Sequence, residues 1–224
     1  MLIENNNKYV MLDCGVYFDK VLREIGFKGT DIDFCLLGHL HADHSRAIID
    51  VNKYFIPIYS SSHAKEKYSF INICPIGEEP VKRIGEYGFK SFELQHDEYN
   101  IGFVLKHFPT NRIITYISDT SYIKSIPVGT SILIIECNYN NDLLHVPEME
   151  ERFVRVKSTH MSMERLVSYL DKIDLSKLTN IVVVHLSDTN SNENLIVETL
   201  EQKTGVHVSA ARNGMIINLD EVPF

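Results

Sequence analysis

Residues 39–44 read His-Leu-His-Ala-Asp-His and follow directly on the run Phe34, Cys35, Leu36, Leu37, Gly38. Four side chains able to ligate a metal therefore stand within six positions, at the end of a stretch that reads as a buried strand. In an extended strand end, side chains two apart point the same way, so His39 and His41 can address one point. Asp43 and His44 fall where the chain turns into a helix and can address a second. The bland alternative is a polar loop that happens to be rich in histidine. It weakens if further ligand-type residues close other strands.

They do. His96 follows FKSFELQ, Asp119 follows RIITYIS and His185 follows IVVV, each a β-patterned run. Singly, such a residue is more often structural or solvated than a ligand. Jointly they place metal-competent groups at the carboxyl ends of rigid elements, where several can be aimed at one point.

The rest of the chain fits a mixed α/β (α+β) fold. Strands are expected over 8–13, 33–37, 55–59, 131–136 and 181–184, with four more β segments between Pro80 and Ser118. Helices are expected over 18–25, stopped by Gly26, over 45–54, and from a Ser61 or Ser62 cap through Tyr68. Further helices are expected over 148–156 with Pro147 at the first position, over 162–173, and over 192–203, capped by Ser191 and closed by Gly205. VHVSAA and MIINL read as final strands. No linker or repeat interrupts this order, so residues 1–224 read as one domain with two sheets packed face to face and helices outside.

Composition narrows the class. Hydrophobic residues at 44% and charged residues at 23% exclude global disorder. No apolar run reaches the length of a membrane span, and the opening MLIENNNKYVMLD is not a secretory signal, so the cytoplasm is the expected compartment and no membrane partner is expected. Cys14, Cys35, Cys74 and Cys137 form no CxxC pair and read as small buried hydrophobes of a reducing compartment. A net charge of −8 argues against a protein that coats nucleic acid through a basic surface, yet leaves room for an enzyme whose metals supply the positive charge.

HLHADH resembles the HxHxDH signature of the metallo-β-lactamase superfamily, and the order His96, Asp119, His185 resembles its later ligand motifs. LQHDEYNIGFVL, SDTSY, IIECNYN with STHMSMERL, and HLSDTNSNENL are similar to the YycJ/WalJ branch of nucleases, which is related to RNase Z. The resemblance implies a four-layer αββα sandwich, the metallo-β-lactamase fold, with a dinuclear site. It implies that His39, His41 and His96 bind one metal, that Asp43, His44 and His185 bind the other, and that Asp119 bridges. Two divalent ions are expected, zinc first and manganese as an active alternative. The family usually has Ser or Thr before the first motif histidine, where this chain has Gly38, which puts a supporting hydrogen bond in question.

The expected chemistry is hydrolysis of a phosphodiester by a hydroxide held between the metals. The leaving alkoxide needs a proton from a general acid. His160, before the helix at 162–173, is the candidate, oriented by Glu136 as an equivalent glutamate is in the RNase Z relatives; Asp43 is counted with these catalytic residues as well as with the ligands. Arg152 and Asn190 are candidate substrate contacts, with Arg155 and Lys157 weaker ones, while His63, His107, His145 and His207 read as surface or packing residues. The expected partner is a phosphoester, nucleic acid or nucleotide, and a homodimer is possible by analogy with relatives. Two other readings stay open: a thioester or lactone hydrolase of the glyoxalase II kind, which needs no acid because a thiolate leaves unaided, and a non-catalytic metal-binding interaction protein.

Overall fold

The structure, a computed structural model, describes residues 1–144 and 150–219, with side chains from residue 154 onward in the helix that begins at Glu150. It divides into two compact units, Met1–Glu93 with Glu98–Phe103, and Leu94–Asp97 with Val104–Phe224. No helix among the described residues is long and apolar enough to cross a membrane.

In the first unit β1 (Leu2–Asn5) and β2 (Lys8–Leu12) form a hairpin whose two-residue turn, Asn6 and Asn7, takes positive φ at both positions, as a tight hairpin requires. No strand is expected from the sequence at residues 2–5. α1 (Phe18–Glu24) stops at Gly26, φ 62°, and β3 (Ile32–Leu36) follows. The helix expected over 45–54 is two helices, α2 (Ala42–Ser45) and α3 (Ile48–Lys53). The break has a tertiary cause: the Ala47 N–H donates to the Cys14 carbonyl at 2.8 Å, pulling the backbone out of helical register. Phe55 turns the chain with φ 59°, so β4 (Ile58–Ser60) starts later than expected. Ser61 caps α4 (Ser62–Lys67), its hydroxyl accepting from Ala64 N at 3.1 Å, and β5 (Ile73–Pro75) completes a sheet in the order β1-β2-β3-β4-β5. All but the first pair are parallel.

Both faces of that sheet are covered, as its unbroken apolar runs require. Met11, Cys35, Leu37 and Ile58 pack against Phe18, Leu22, Ile48 and Val51 of the helices. On the other face Phe34 stacks on Phe89 with centroids 4.7 Å apart, and Tyr59 meets Phe89 edge-on at 5.1 Å. Such pairs contribute about 0.5–1.5 kcal/mol each beyond burial. Phe89 belongs to the second sheet, which begins with β6 (Lys82–Ile84) and β7 (Tyr87–Leu94).

The second sheet runs β12-β11-β10-β9-β8-β7-β6, and the chain passes from one unit to the other within β8 (Asn100–His107). The second unit holds β9 (Arg112–Ile117), β10 (Ile132–Glu136), β11 (Asn180–Val184) and β12 (His207–Ala210), all parallel. Ile117 pairs with Ile135, and Glu136 with Val184, so the residues just beyond β9 and β11 come side by side with the end of β10. α5 (Glu150–Thr159) opens the second described stretch, and Pro147 and His145 lie outside the described residues. α6 (Met163–Leu170) is capped by Ser162.

Two expectations need correction here. α7 (Glu193–Thr204) is capped by Asn192, whose Oδ1 accepts from Leu195 N at 3.1 Å; Ser191 instead donates to the Ser187 carbonyl. Residues 215–219 form no strand. A turn at Gly214 (φ 75°) carries the chain away after β12, and Ile216 is 94% exposed, with no strand pairing it among the described residues.

Candidate metal centre

In the first unit the tip of β3 and the first turn of α2 bring His39, His41, Asp43 and His44 together. His39 Nε2 lies 3.0 Å from His41 Nδ1, and the His39 and His44 rings are 4.3 Å apart. Nitrogens held about 2.0–2.1 Å from a tetrahedral ion are roughly 3.3 Å apart, so the His39–His41 spacing suits a shared cation as well as it suits a proton between the rings. Asp43 Oδ2 is 3.7 Å from His44 Nε2.

Asp13 supports this loop, and sequence reasoning missed it. It is buried just beyond β2 with φ 53°; its Oδ2 pairs with His44 Nδ1 at 2.7 Å and its Oδ1 accepts from Gly38 N at 2.8 Å. With Nδ1 carrying the proton toward a carboxylate, Nε2 of His44 is left as the ligand atom. Gly38 brings no side-chain hydroxyl, but its backbone N–H holds Asp13, and a Cβ there would come within 3.1 Å of Asn100 Oδ1 and the Ile101 carbonyl. Gly15 is more constrained, since a Cβ would meet the Asp43 carbonyl oxygen at 1.4 Å. The closeness lets Cys14 N donate to the His44 carbonyl at 2.7 Å, clasping the loop.

In the second unit the ends of β7, β9, β10 and β11 assemble His96, Asp119, Glu136 and His185, with His160 entering after α5. Asp119 divides its oxygens: Oδ2 faces His96 Nε2 at 3.8 Å and Oδ1 faces His185 Nε2 at 3.3 Å. His96 Nδ1 donates to the Thr159 carbonyl at 3.0 Å, leaving Nε2 as the lone-pair nitrogen. Burial, outweighing the attraction of Asp119, lowers the proton affinity of His96 and favours the neutral ring that can ligate. Asn138, another residue sequence reasoning passed over, donates to the His185 carbonyl at 2.9 Å and holds its amide 3.2 Å from His185 Nδ1. Asp119 and His185 both take positive φ, at 50° and 59°. Backbone held in this way at three supporting or ligand-type residues, Asp13 included, costs on the order of 1–3 kcal/mol each.

Asp119, Glu136, His160 and His185 each offer an atom within 4.8 Å of the others. His160 differs from the rest of that set. Its Nδ1 is 2.5 Å from Oε1 of the fully buried Glu136, whose Oε2 accepts from Thr120 N at 2.8 Å. Burial pushes the His160 pKa down, but the Glu136 hydrogen bond and charge outweigh it and hold the ring above its ordinary range. A ring whose hold on its proton is strengthened in this way, stacked on His185 with centroids 5.3 Å apart and tied at Nδ1 to Glu136, is better suited to give a proton than to bind a cation.

The remaining candidates separate. Arg152 has a side chain outside the described residues. Asn190 uses its backbone to shape the loop after His185, donating to Ser187 Oγ and accepting from Asn140 N. His63 pairs with Glu98, His107 with Thr110, and His207 with Glu201, as packing and surface residues do. All four cysteines are free, three of them buried.

A family model described as anti-Pycsar protein Apyc1 matches residues 1–51. The exodeoxyribonuclease WalJ of Streptococcus pneumoniae (serotype 2, strain D39) is 22% identical over 218 residues, covering 88% of this chain and 81% of that protein. Among solved structures, the metallo-β-lactamase fold protein YhfI of Bacillus subtilis superposes with a TM-score of 0.74 at 17% identity, over 96% of this chain and 88% of that one. The short form of human tRNase Z superposes with a TM-score of 0.64 at 15% identity, over 100% of this chain and 92% of that one. With two sheets in the same mixed α/β arrangement, this chain has the metallo-β-lactamase fold.

Proposed function

We propose that this chain is a two-metal hydrolase of phosphodiesters, a single cytoplasmic domain acting on a nucleic acid or nucleotide. In this reading His39, His41 and His96 hold one cation, Asp43, His44 and His185 hold the other, and Asp119 bridges. The observation that carries the reading is the split of the Asp119 carboxylate between His96 and His185, with the hydrogen-bonded His160–Glu136 pair beside it. The donors fit divalent metal: buried imidazoles whose second nitrogens are taken by Asp13 and the Thr159 carbonyl, together with carboxylates. Three nitrogens suit zinc, and the oxygen-richer set also accepts manganese.

Such a pair of cations supplies a nucleophile from water near neutral pH and neutralises charge gathering on the phosphoryl group. The chain's own residues do the rest. Asp13 and Thr159 fix the tautomers of His44 and His96. Asp43 serves both as ligand and as a catalytic carboxylate beside His44. Glu136 keeps Nδ1 of His160 protonated and the ring oriented, so that Nε2 can deliver a proton to the leaving alkoxide. A thioester hydrolase has no use for that acid, which is why the pair favours a phosphoester. Arg152 and Asn190 are assigned to substrate, and the WalJ and tRNase Z likenesses agree with a nucleic-acid or nucleotide substrate.

Metal-loaded protein assayed in parallel on bis-p-nitrophenyl phosphate and a glutathione thioester tests this. Diester cleavage abolished by chelation supports it; thioester cleavage alone replaces it with the acyl reading. Sedimentation of the same sample distinguishes a monomer from a homodimer.

A further inference from the structure

Two groups one turn apart on α5 converge on His96. The Thr159 carbonyl accepts its Nδ1 proton at 3.0 Å. Arg155 Nε donates to Asp97 Oδ2 at 2.9 Å, and the other oxygen of Asp97 lies 3.1 Å from His96 Nε2. The last turn of the helix is stitched to the same point, because the hydroxyls of Thr159 and Ser158 donate to the Arg155 carbonyl at 2.7 and 2.9 Å.

This arrangement has a direction. Nδ1 of His96 has committed its proton, so Nε2 presents a lone pair, and Asp97 adds a second acceptor at that spot. Arg155 balances the carboxylate from outside through Nε alone. Its Nη1 and Nη2 groups have no hydrogen-bond partner among the described residues, and its side chain is 66% exposed. Arg165, by contrast, commits Nη1 to the Ser121 and Lys157 carbonyls, and Arg212 is engaged by Glu193. A planar guanidinium braced at Nε offers two parallel Nη donors, the geometry that matches two oxygens of a phosphate.

We propose that Arg155, braced by Asp97 against the His96 end of the site, grips the non-bridging oxygens of the substrate phosphate and sets the preference for phosphoesters over acyl substrates. This rests on the phosphodiesterase reading for the identity of the reaction, but not for the binding of phosphate.

The test uses the full metal-loaded chain, inorganic phosphate as the probe in calorimetry, and steady-state kinetics on bis-p-nitrophenyl phosphate and a glutathione thioester. Arg155→Ala is expected to weaken phosphate binding and raise KM for the diester by about tenfold or more, a typical effect of removing hydrogen bonds to a charged group. Bound metal and thermal stability should hold, since an exposed ion pair contributes little to the fold. Arg155→Lys should fall between, and Asp97→Asn should weaken phosphate binding less than Arg155→Ala. Unchanged phosphate affinity in Arg155→Ala overturns the inference, as does a loss of affinity that tracks a loss of metal. If the wild type cleaves diesters while Arg155→Ala keeps its KM, the inference fails and the phosphodiesterase reading stands. If the wild type binds phosphate through Arg155 but cleaves no diester, the phosphate grip stands, while that reading fails together with the substrate preference drawn from it.

Discussion

Replacing Asp13 with asparagine changes almost no volume and isolates one job, the placing of a proton. Asp13 accepts from Gly38 N with one oxygen, at 2.8 Å, and from His44 Nδ1 with the other, at 2.7 Å. An amide has one acceptor to offer. If its oxygen stays on Gly38 N, its NH2 faces His44 Nδ1, and the ring must accept there and move its proton to Nε2, the atom assigned to metal in the proposed site. The opposite orientation sets NH2 against the Gly38 N–H. Losing one hydrogen bond to a charged group costs about 1.5–3 kcal/mol of stability. At roughly 2–4 °C per kcal/mol for a chain of this size, Tm should fall by about 3–12 °C. Groups that orient metal-ligating histidines are worth about 10–100-fold in metal affinity, or roughly 1.4–2.7 kcal/mol. The assay is a chelator-competition titration with zinc alongside melts in chelator. Asp13→Ala is the companion, since it leaves two buried donors without acceptors, at about 1–3 kcal/mol each, and should melt lower than Asp13→Asn. If Asp13→Asn binds both metals within about twofold of wild type, the tautomer argument is refuted.

Other consequences follow from the same geometry. His160→Ala should keep its metal and lose about 10²–10⁴-fold in kcat on a dinucleotide, with a much smaller loss on bis-p-nitrophenyl phosphate, whose leaving group needs no proton; equal losses on both, or loss of metal, contradict the acid role. Gly15→Ala should cost more than about 4 kcal/mol or prevent soluble expression, because its Cβ would fall 1.4 Å from the Asp43 carbonyl oxygen. Gly26→Ala, at φ 62° with open space around the added carbon, should cost only about 1–2 kcal/mol, and similar melts for the two variants would dismiss the clasp on the loop.

What could be read from the sequence was local chemistry. His39, His41, Asp43 and His44 announce themselves because four ligand types in six positions are unusual and because the alternation of an extended chain says which pair shares a side. His96, Asp119 and His185 were visible as polar residues ending apolar strands. The pairing of His160 with Glu136 came from family likeness, and the structure places the two side chains in contact. Asp13 was hidden because its partners, Gly38 and His44, are 25 and 31 positions away, and one aspartate after a strand carries no periodic signal. The division of the 45–54 helix was invisible for the same reason, its cause being the Cys14 carbonyl. Ser191 and Asn192 are both capping residues, and sequence cannot choose between neighbours. Apolar alternation at 215–219 promised a strand, but a strand also needs a ladder partner, which no pattern supplies.

The proposed chemistry depends on two divalent ions shared through Asp119, and elemental analysis of purified, zinc-equilibrated protein measures this most directly. About two equivalents per chain are expected for the wild type, falling to about one or fewer in Asp119→Ala with the fold retained by circular dichroism. A wild type that retains no divalent ion, or an Asp119→Ala variant that still holds two, would contradict it.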